Sequence, residues 1–353
     1  MMTDGGRATG RTWRRFWWQC LAAALALAAA CYLFVALVDP WDGLPLSLPL
    51  PRQPVTSLAR YTMPMLARRP YFDSAIIGTS TSRLLRPSVL DAELRSHFVN
   101  LSFNTATAYE QEQMLEVFLA AHPRPRYIVW GMDVRWCDPG PEQLAFPQYE
   151  FPAWLYRPQR WAGYREIFTL FALREAAAQA QVILGLRPLR RSLDGYENFT
   201  ITDGPYDLAR ALAHMESDGV MPAAPDPATP AADWPTVTLP RLERSLASIP
   251  SETRVVLFFV PFAQSFQGPR DGPARQYWAE CKRRVVALAR RHANTAVADF
   301  LLDTPFTTDP SHYLDGMHYR STVADRLAQG IALAARGHES PLGDNQLLHG
   351  FPD

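Results

Sequence analysis

The chain is poor in lysine, in cysteine and in net charge. Its 353 residues carry 35 basic and 35 acidic side chains, and Lys282 is the one lysine. A neutral chain lacks the clustered basic surface that phosphate-backbone binding requires, so nucleic acid is set aside as a partner. The four cysteines have no zinc-type spacing. There is no phosphate-cradling Gly-rich loop and no dimetal carboxylate cluster, which argues against phosphatase chemistry and gives no cofactor or metal to expect. No internal repeat is found. What is present is a 48% apolar composition, too hydrophobic for a disordered chain and long enough for one large or two small domains. The Arg, Pro and Ala richness resembles genomic compositional bias and carries no functional reading.

The zero charge is unevenly distributed. Arg7, Arg11, Arg14 and Arg15 against Asp4 give residues 1–15 a net +3, so the remainder sums to −3. From Phe16 to Val38 the one clearly polar residue is Gln19, and about 20 apolar residues suffice to cross a bilayer as a helix. Arginines before the span, with Trp13, Trp17 and Trp18 at its boundary, predict a cytoplasmic N-terminus and a single-pass inner-membrane protein with an extracytoplasmic domain. The competing reading is a cleaved signal peptide, since Ala28-Ala29-Ala30-Cys31 loosely resembles a cleavage site. The apolar run continues past it to Val38, which favours an uncleaved anchor. Cys137 and Cys281 lie in the outer compartment, which permits a disulfide; their 144-residue separation has no signature, and pairing stays open.

Residues 1–15 are expected as a cytoplasmic tail, 16–38 as the membrane helix, 39–70 as a Pro-rich linker and juxtamembrane segment, 71–338 as one α/β domain, and 339–353 as a C-terminal tail. Five short apolar runs, Ser74–Ile77, Phe98–Phe103, Tyr127–Trp130, Val255–Val260 and Ala296–Phe300, suit strands buried on both faces of a parallel sheet. Helix-like stretches Leu84–Arg95, Glu110–His122, Tyr277–His292 and Thr322–Ala335 alternate with them, as in a doubly wound sheet whose ligands bind at the carboxyl ends of the strands. An insertion at about 137–253 breaks the rhythm. It holds an aromatic-rich stretch, an Ala-rich helix near Phe168–Leu184 and a Pro/Ala/Asp loop at Met221–Pro235, and its length suggests a cap over the site.

Two motifs carry chemistry. Ile77-Gly78-Thr79-Ser80-Thr81-Ser82-Arg83 ends a buried strand at a glycine and delivers hydroxyls to a helix start, where a serine gains exposed N–H groups; a plain capped turn would look the same. Asp315-Gly316-Met317-His318 precedes the terminal helix. An imidazole can deprotonate a serine if its tautomer is fixed, and an Asp three residues earlier can do this. Asp309-Pro310-Ser311-His312 is a second copy of the spacing; Gly316 favours the first through a tight turn.

Together, Gly-x-Ser after the first strand, an Asn-bearing turn after the second, Gly131-Met132-Asp133 after the third and Asp-x-x-His after the last resemble the block order of the SGNH/GDSL hydrolase superfamily. The span ending in Val38-Asp39-Pro40, with Val99-Asn100-Leu101-Ser102 and Phe259-Val260-Pro261, is similar to membrane-anchored bacterial SGNH-like proteins and to extracytoplasmic acyl-transfer proteins of the D-alanylation (DltD) type. The resemblance implies a three-layer α/β/α, flavodoxin-like domain with a five-stranded parallel sheet. It implies a Ser80 nucleophile, a His318 base and an Asp315 orienting acid, with Ser102, Asn104 and Asp133 as oxyanion or support candidates. Thr79 stands where that family has Asp, and no glycine is evident in Ser102-Phe103-Asn104-Thr105. Asp133 stands where the family has Asn, and a carboxylate cannot donate to an oxyanion; Asn104 is expected to supply the missing amide.

Arg83 and Arg320 flank the motifs and are candidates for binding an acidic substrate. Tyr149, Phe151, Trp154, Tyr156, Trp161 and Tyr164 are read as core or as a sugar-stacking surface, and His97, His122, His214 and His292 as structural. The expectation is an esterase or O-acyltransferase acting on an envelope glycan or lipid-linked substrate, partnered by a multispanning membrane acyl-donor protein. The alternative is a catalytically degenerate glycan-binding or assembly subunit.

Overall fold

The computed structural model describes residues 5–56, 58–188, 192–200, 206–221, 229–230 and 233–352, with side chains from residue 12. Most of the loop expected at Met221–Pro235, and the side chains of Asp4, Arg7 and Arg11, lie outside them. The chain divides into two compact units, 1–56 with 157–190 and 57–156 with 191–353.

The first unit is built on α1 (Gly5–Val38). Its stretch Thr12–Val38 is long and apolar enough to cross a membrane; 27 residues span about 40 Å against a hydrocarbon core of roughly 30 Å. The helix ends at Asp39, in a left-handed conformation at φ 47° and followed by Pro40, which cannot continue a helix. The orphaned carbonyls are met by Arg52, whose Nε donates to Val38 O at 2.8 Å and Asp39 O at 2.7 Å. The Asp39 carboxylate accepts the N–H groups of Gly43 and Leu44, both at 2.9 Å. The supposed linker is therefore folded back on the helix end. The α8 helix (Leu170–Ile183) packs against α1, with Trp41 stacked on Phe171 at 5.4 Å.

In the second unit the segment expected as linker holds α2 (Ala59–Ala67), buried along its whole length with Pro64 inside. Proline removes the N–H that would bond the carbonyl four residues back. That carbonyl, of Arg60, instead accepts the Tyr156 hydroxyl at 2.9 Å, so the Pro is tolerated. The strands are β1 (Ser74–Ile77), β2 (Phe98–Asn100), β3 (Tyr127–Met132), β4 (Arg254–Phe259), β5 (Thr295–Asp299) and β6 (Gln346–His349). They form one sheet of order β2-β1-β3-β4-β5-β6. The first five are parallel and β6 runs antiparallel to β5. Residues expected as a C-terminal tail thus supply a sixth strand. The order reverses between β1 and β3, the place where open α/β sheets leave a crevice at their carboxyl ends.

The helix expected over Leu84–Arg95 is α4 (Pro87–Leu94), and a separate short helix α3 (Ser80–Arg83) precedes it. Pro87 pushes Arg86 out of the helical region, to φ −81°, ψ 120°. The α5 helix (Ala108–Ala121) begins with a capping box between Thr107 and Glu110. The long β3–β4 connection closes with α10 (Leu239–Ser248), which packs on α5 and on α12 (Pro273–Ala289). The terminal helix α14 (Ser321–Ala334) packs on α4, β4 and β5.

Cys137, just past β3, is disulfide-bonded to Cys281 on α12, with Cα atoms 5.9 Å apart. Both are buried. Closing so long a loop restricts the unfolded chain, so reduction, or the Cys137→Ser/Cys281→Ser pair, is expected to lower stability by about 2–4 kcal/mol. Urea midpoints with and without a phosphine reductant check this.

Candidate active site

The end of β1 runs into α3 through Gly78, Thr79 and Ser80. A Cβ on Gly78 would overlap Ser82 Oγ, and so would a Cβ on Gly131 at the end of β3. Two glycines on adjacent strands thus make room for the first turn of α3 to lie against the sheet. From β2, the Asn100 amide donates to Ser82 O and Leu85 O, both at 2.9 Å, and Tyr319 donates its hydroxyl to Thr81 O. The turn bearing Ser80 is therefore fixed from three sides. Sequence reading did not single out Asn100 or Tyr319 for this; an Asn ending a buried strand was the available signal.

Ser80 Oγ lies 2.7 Å from His318 Nε2, and His318 Nδ1 lies 2.8 Å from Asp315 Oδ2. With Nδ1–H donating to the carboxylate, Nε2 is left to accept the serine proton. All three residues keep partial exposure. The imidazole and carboxylate sit on a turn closed by pairing of Tyr313 with Tyr319 and by Leu314 N–H donating to His318 O at 2.9 Å. The Tyr313 hydroxyl ties this turn to the end of β4 through Pro261 O at 3.1 Å. Asp315 Oδ1 accepts the N–H groups of Met317 at 2.8 Å and His318 at 2.6 Å. Burial raises the Asp315 carboxyl, but the His318 ring and these two N–H donors outweigh it and hold the carboxyl below its ordinary value. Gly316 has no left-handed φ; its hydrogen faces Phe266. In the second Asp-x-x-His copy, His312 Nδ1 pairs with Phe306 O at 2.9 Å.

The three support candidates separate. Asp133 is buried; its carboxylate accepts the Thr79 hydroxyl and, at 2.9 Å, the Arg135 N–H, so it anchors the residue before Ser80. Burial pushes its carboxyl upward. Ser102 is buried, and its Oγ has no hydrogen-bond partner among the described residues. Asn104 is half-exposed in the β2–α5 turn, where Thr105 takes the left-handed conformation at φ 54°. Arg83 Nη1 donates to Asn104 Oδ1 at 2.5 Å. A guanidinium has no acceptor, so the amide oxygen must face Arg83 and the NH₂ end is left for the opposite side. Arg60 Nη1 holds the backbone carbonyl of Asn104 at 3.2 Å.

Of the two arginines considered for substrate, Arg83 is buried, paired with Glu197, and stacked 4.9 Å from the Phe199 ring centre. Arg320 lies 3.9 Å over the Tyr206 ring. Glu197 and Phe199 come from residues 192–200 of the insertion, a segment bound to β2 through Asn100 N–H and Asp194 O at 2.7 Å. Phe199 stands edge-on to the His318 ring, centroids 5.8 Å apart. No motif pointed to either residue. Tyr149 is exposed and lies over Arg60 at 4.9 Å, and half-buried Phe151 packs on the core residue Tyr156 at 4.4 Å; Trp161 and Tyr164 pair in the other unit.

A cavity of about 350 Å³ opens beside the His318–Asp315 pair. Phe199, Tyr206, Arg210, His214, Asp315 and His318 are among its lining residues. A larger one of about 740 Å³ is lined by Met215, Gln264, Arg270 and Arg275; both arginines pair with Asp303. Among the described residues no group of His, Cys, Asp and Glu is arranged to hold a metal ion. No protein-family model and no curated protein sequence matches the chain.

The lowered Asp315 carboxyl contributes stability in full above its unfolded value and loses it as pH falls through the folded one. Asp315→Ala is therefore expected to be less stable than the parent at pH 7, with the deficit shrinking below about pH 4. Urea midpoints of the detergent-solubilised chains across that range test this; a deficit of constant size contradicts it.

Proposed function

We propose that the chain is a membrane-anchored serine esterase or O-acyltransferase of SGNH type that works through an acyl-Ser80 intermediate. The single observation that carries this is the continuous Ser80–His318–Asp315 hydrogen-bond chain at the carboxyl end of β1. The parallel order 2-1-3-4-5 is that of flavodoxin-like sheets. Two helix groups, α4 with α14 and α5 with α10 and α12, favour a three-layer α/β/α domain.

In the first step His318 Nε2 takes the Ser80 proton as Oγ bonds to the acyl carbon. The carbonyl electrons move onto oxygen, where the Ser80 N–H and the Asn104 NH₂ are the assigned donors. The carbon–oxygen bond to the leaving sugar or lipid oxygen then breaks, and His318 returns the proton to it. Water or an acceptor hydroxyl, deprotonated by His318, attacks the acyl-enzyme and releases Ser80. Asp133 stays out of this donor set because both its oxygens accept.

The location is read from α1, from the arginines ahead of it and from the disulfide. Together they support a single-pass inner-membrane protein with its N-terminus in the cytoplasm and its catalytic unit outside. An envelope glycan or lipid-linked substrate, with a multispanning acyl-donor protein as partner, fits that position.

A fluorophosphonate probe on the solubilised full chain tests the assignment. The adduct mass is expected on Ser80, lost in Ser80→Ala and His318→Ala. In Asn104→Ala turnover of an activated ester is expected to fall about 10²-fold. A folded parent chain that forms no adduct would instead favour the non-catalytic glycan-binding reading, which the accepting Asp133 carboxylate supports.

A further inference from the structure

The cavity beside His318 carries a charge that the acyl chemistry does not use. Arg210 and His214 lie one turn apart on α9 (Leu208–Asp218), so they share a face, and both line the cavity with Asp315 and His318. Both are exposed, and no carboxylate among the described residues pairs with Arg210. The two acids in the lining are already engaged. Asp207 caps α9 through the N–H groups of Ala209 and Arg210 at 2.9 and 3.3 Å. Asp315 holds His318 and two backbone N–H groups.

We infer that this cavity binds the anionic substituent, a carboxylate or a phosphate, of the sugar that carries or accepts the acyl group, with Arg210 and His214 as its donors. The inference rests on the acyl-enzyme reading above for the sugar's role, and on the cavity alone for its charge. A guanidinium fork matches either anion in two hydrogen bonds. Phe199 and Tyr206 line the cavity, each with an arginine over one ring face, which leaves the opposite face for the apolar side of a pyranose. A volume of about 350 Å³ is at the small end of ligand sites and suits one substituted sugar ring. Arg83 cannot take this role, being neutralised by Glu197.

Calorimetric titration of the full chain in detergent tests this with two matched pairs: trigalacturonate against galactotriose, and glucose 6-phosphate against glucose. At least one charged member is expected to bind about 10-fold or more tightly than its neutral counterpart, and which pair shows the gap identifies the anion. Arg210→Gln is expected to remove most of that gap, whereas Arg270→Gln, in the larger cavity, leaves it intact. Equal binding within both pairs, or a gap that survives Arg210→Gln, overturns the inference. Fluorophosphonate labelling of the unmodified chain reports separately on Ser80. Charge-selective binding without labelling would sink the acyl-enzyme reading and leave the cavity assignment standing.

Discussion

The candidate site depends on how closely the first turn after β1 can lie against the sheet. Ser82 occupies space that a methyl group on either Gly78 or Gly131 would fill, and its own hydroxyl is buried without a partner among the described residues. Its value there is its size. Because β1 and β3 are in register from Ser74–Tyr127 to Ile77–Trp130, the two glycines come side by side where the strands end. The short helix α3 can then start at once, with Ser80 at its first position. A bulkier contact would lift the turn and carry Ser80 Oγ off His318 Nε2, and a displacement near 1 Å at reacting atoms is enough to lose about two orders of magnitude in rate. The amide of Asn100, bonded to Ser82 O and Leu85 O, holds the turn in that position.

A second layer of support is made of charges that satisfy each other away from the reacting atoms. Arg60 meets Glu110 through two hydrogen bonds of 2.7 and 2.8 Å, with both residues buried. Breaking such a pair from one side leaves an uncompensated charge and costs about 3–5 kcal/mol. The same guanidinium reaches Asn104 O, and Arg83 reaches Asn104 Oδ1. Asn104 is thus held at its backbone by one buried arginine and at its amide by another. That arrangement explains how a turn without glycine, with Thr105 at positive φ, can still present a fixed amide: the left-handed residue costs about 1–2 kcal/mol, which the paired arginines offset.

The sequence made the sheet legible because its strands are short apolar runs with clear punctuation. Ser74–Ile77 needed no adjustment, and the other four runs moved at their ends by one to three residues. What was illegible had weak local signals. Gln346–His349 is partly exposed and has no β-branched residue, so its strand character comes from pairing with β5 alone. Pro64 hid α2, since nothing local indicates that Tyr156, 92 residues on, will bond the freed carbonyl. The hydroxyl, imidazole and carboxylate could be named because each lies next to a readable element, Ser80 just after β1 and Asp315 and His318 just before α14. Glu197, Phe199 and Arg210 could not, because a long insertion between β3 and β4 carries no period that says which residues return to the strand ends.

That asymmetry divides the labour in the site. The serine, histidine and aspartate are placed by β1, by the turn before α14 and by the end of β4, elements of the sheet unit that vary little without breaking the fold. The cavity is walled in part by Phe199, Tyr206, Arg210 and His214 of the insertion. On the acyl-enzyme reading, hydrolysis and transfer share every group from Ser80 to Asp315 and differ in what lies beside His318 when the acyl group is waiting. A pocket with an aromatic wall and a guanidinium that no carboxylate among the described residues pairs with would, on that reading, lower the free energy of a bound anionic sugar more than that of water, which gains little from either. On the same reading, the choice between water and acceptor would be set by α9 and Phe199, and a change there would alter the product without touching the triad.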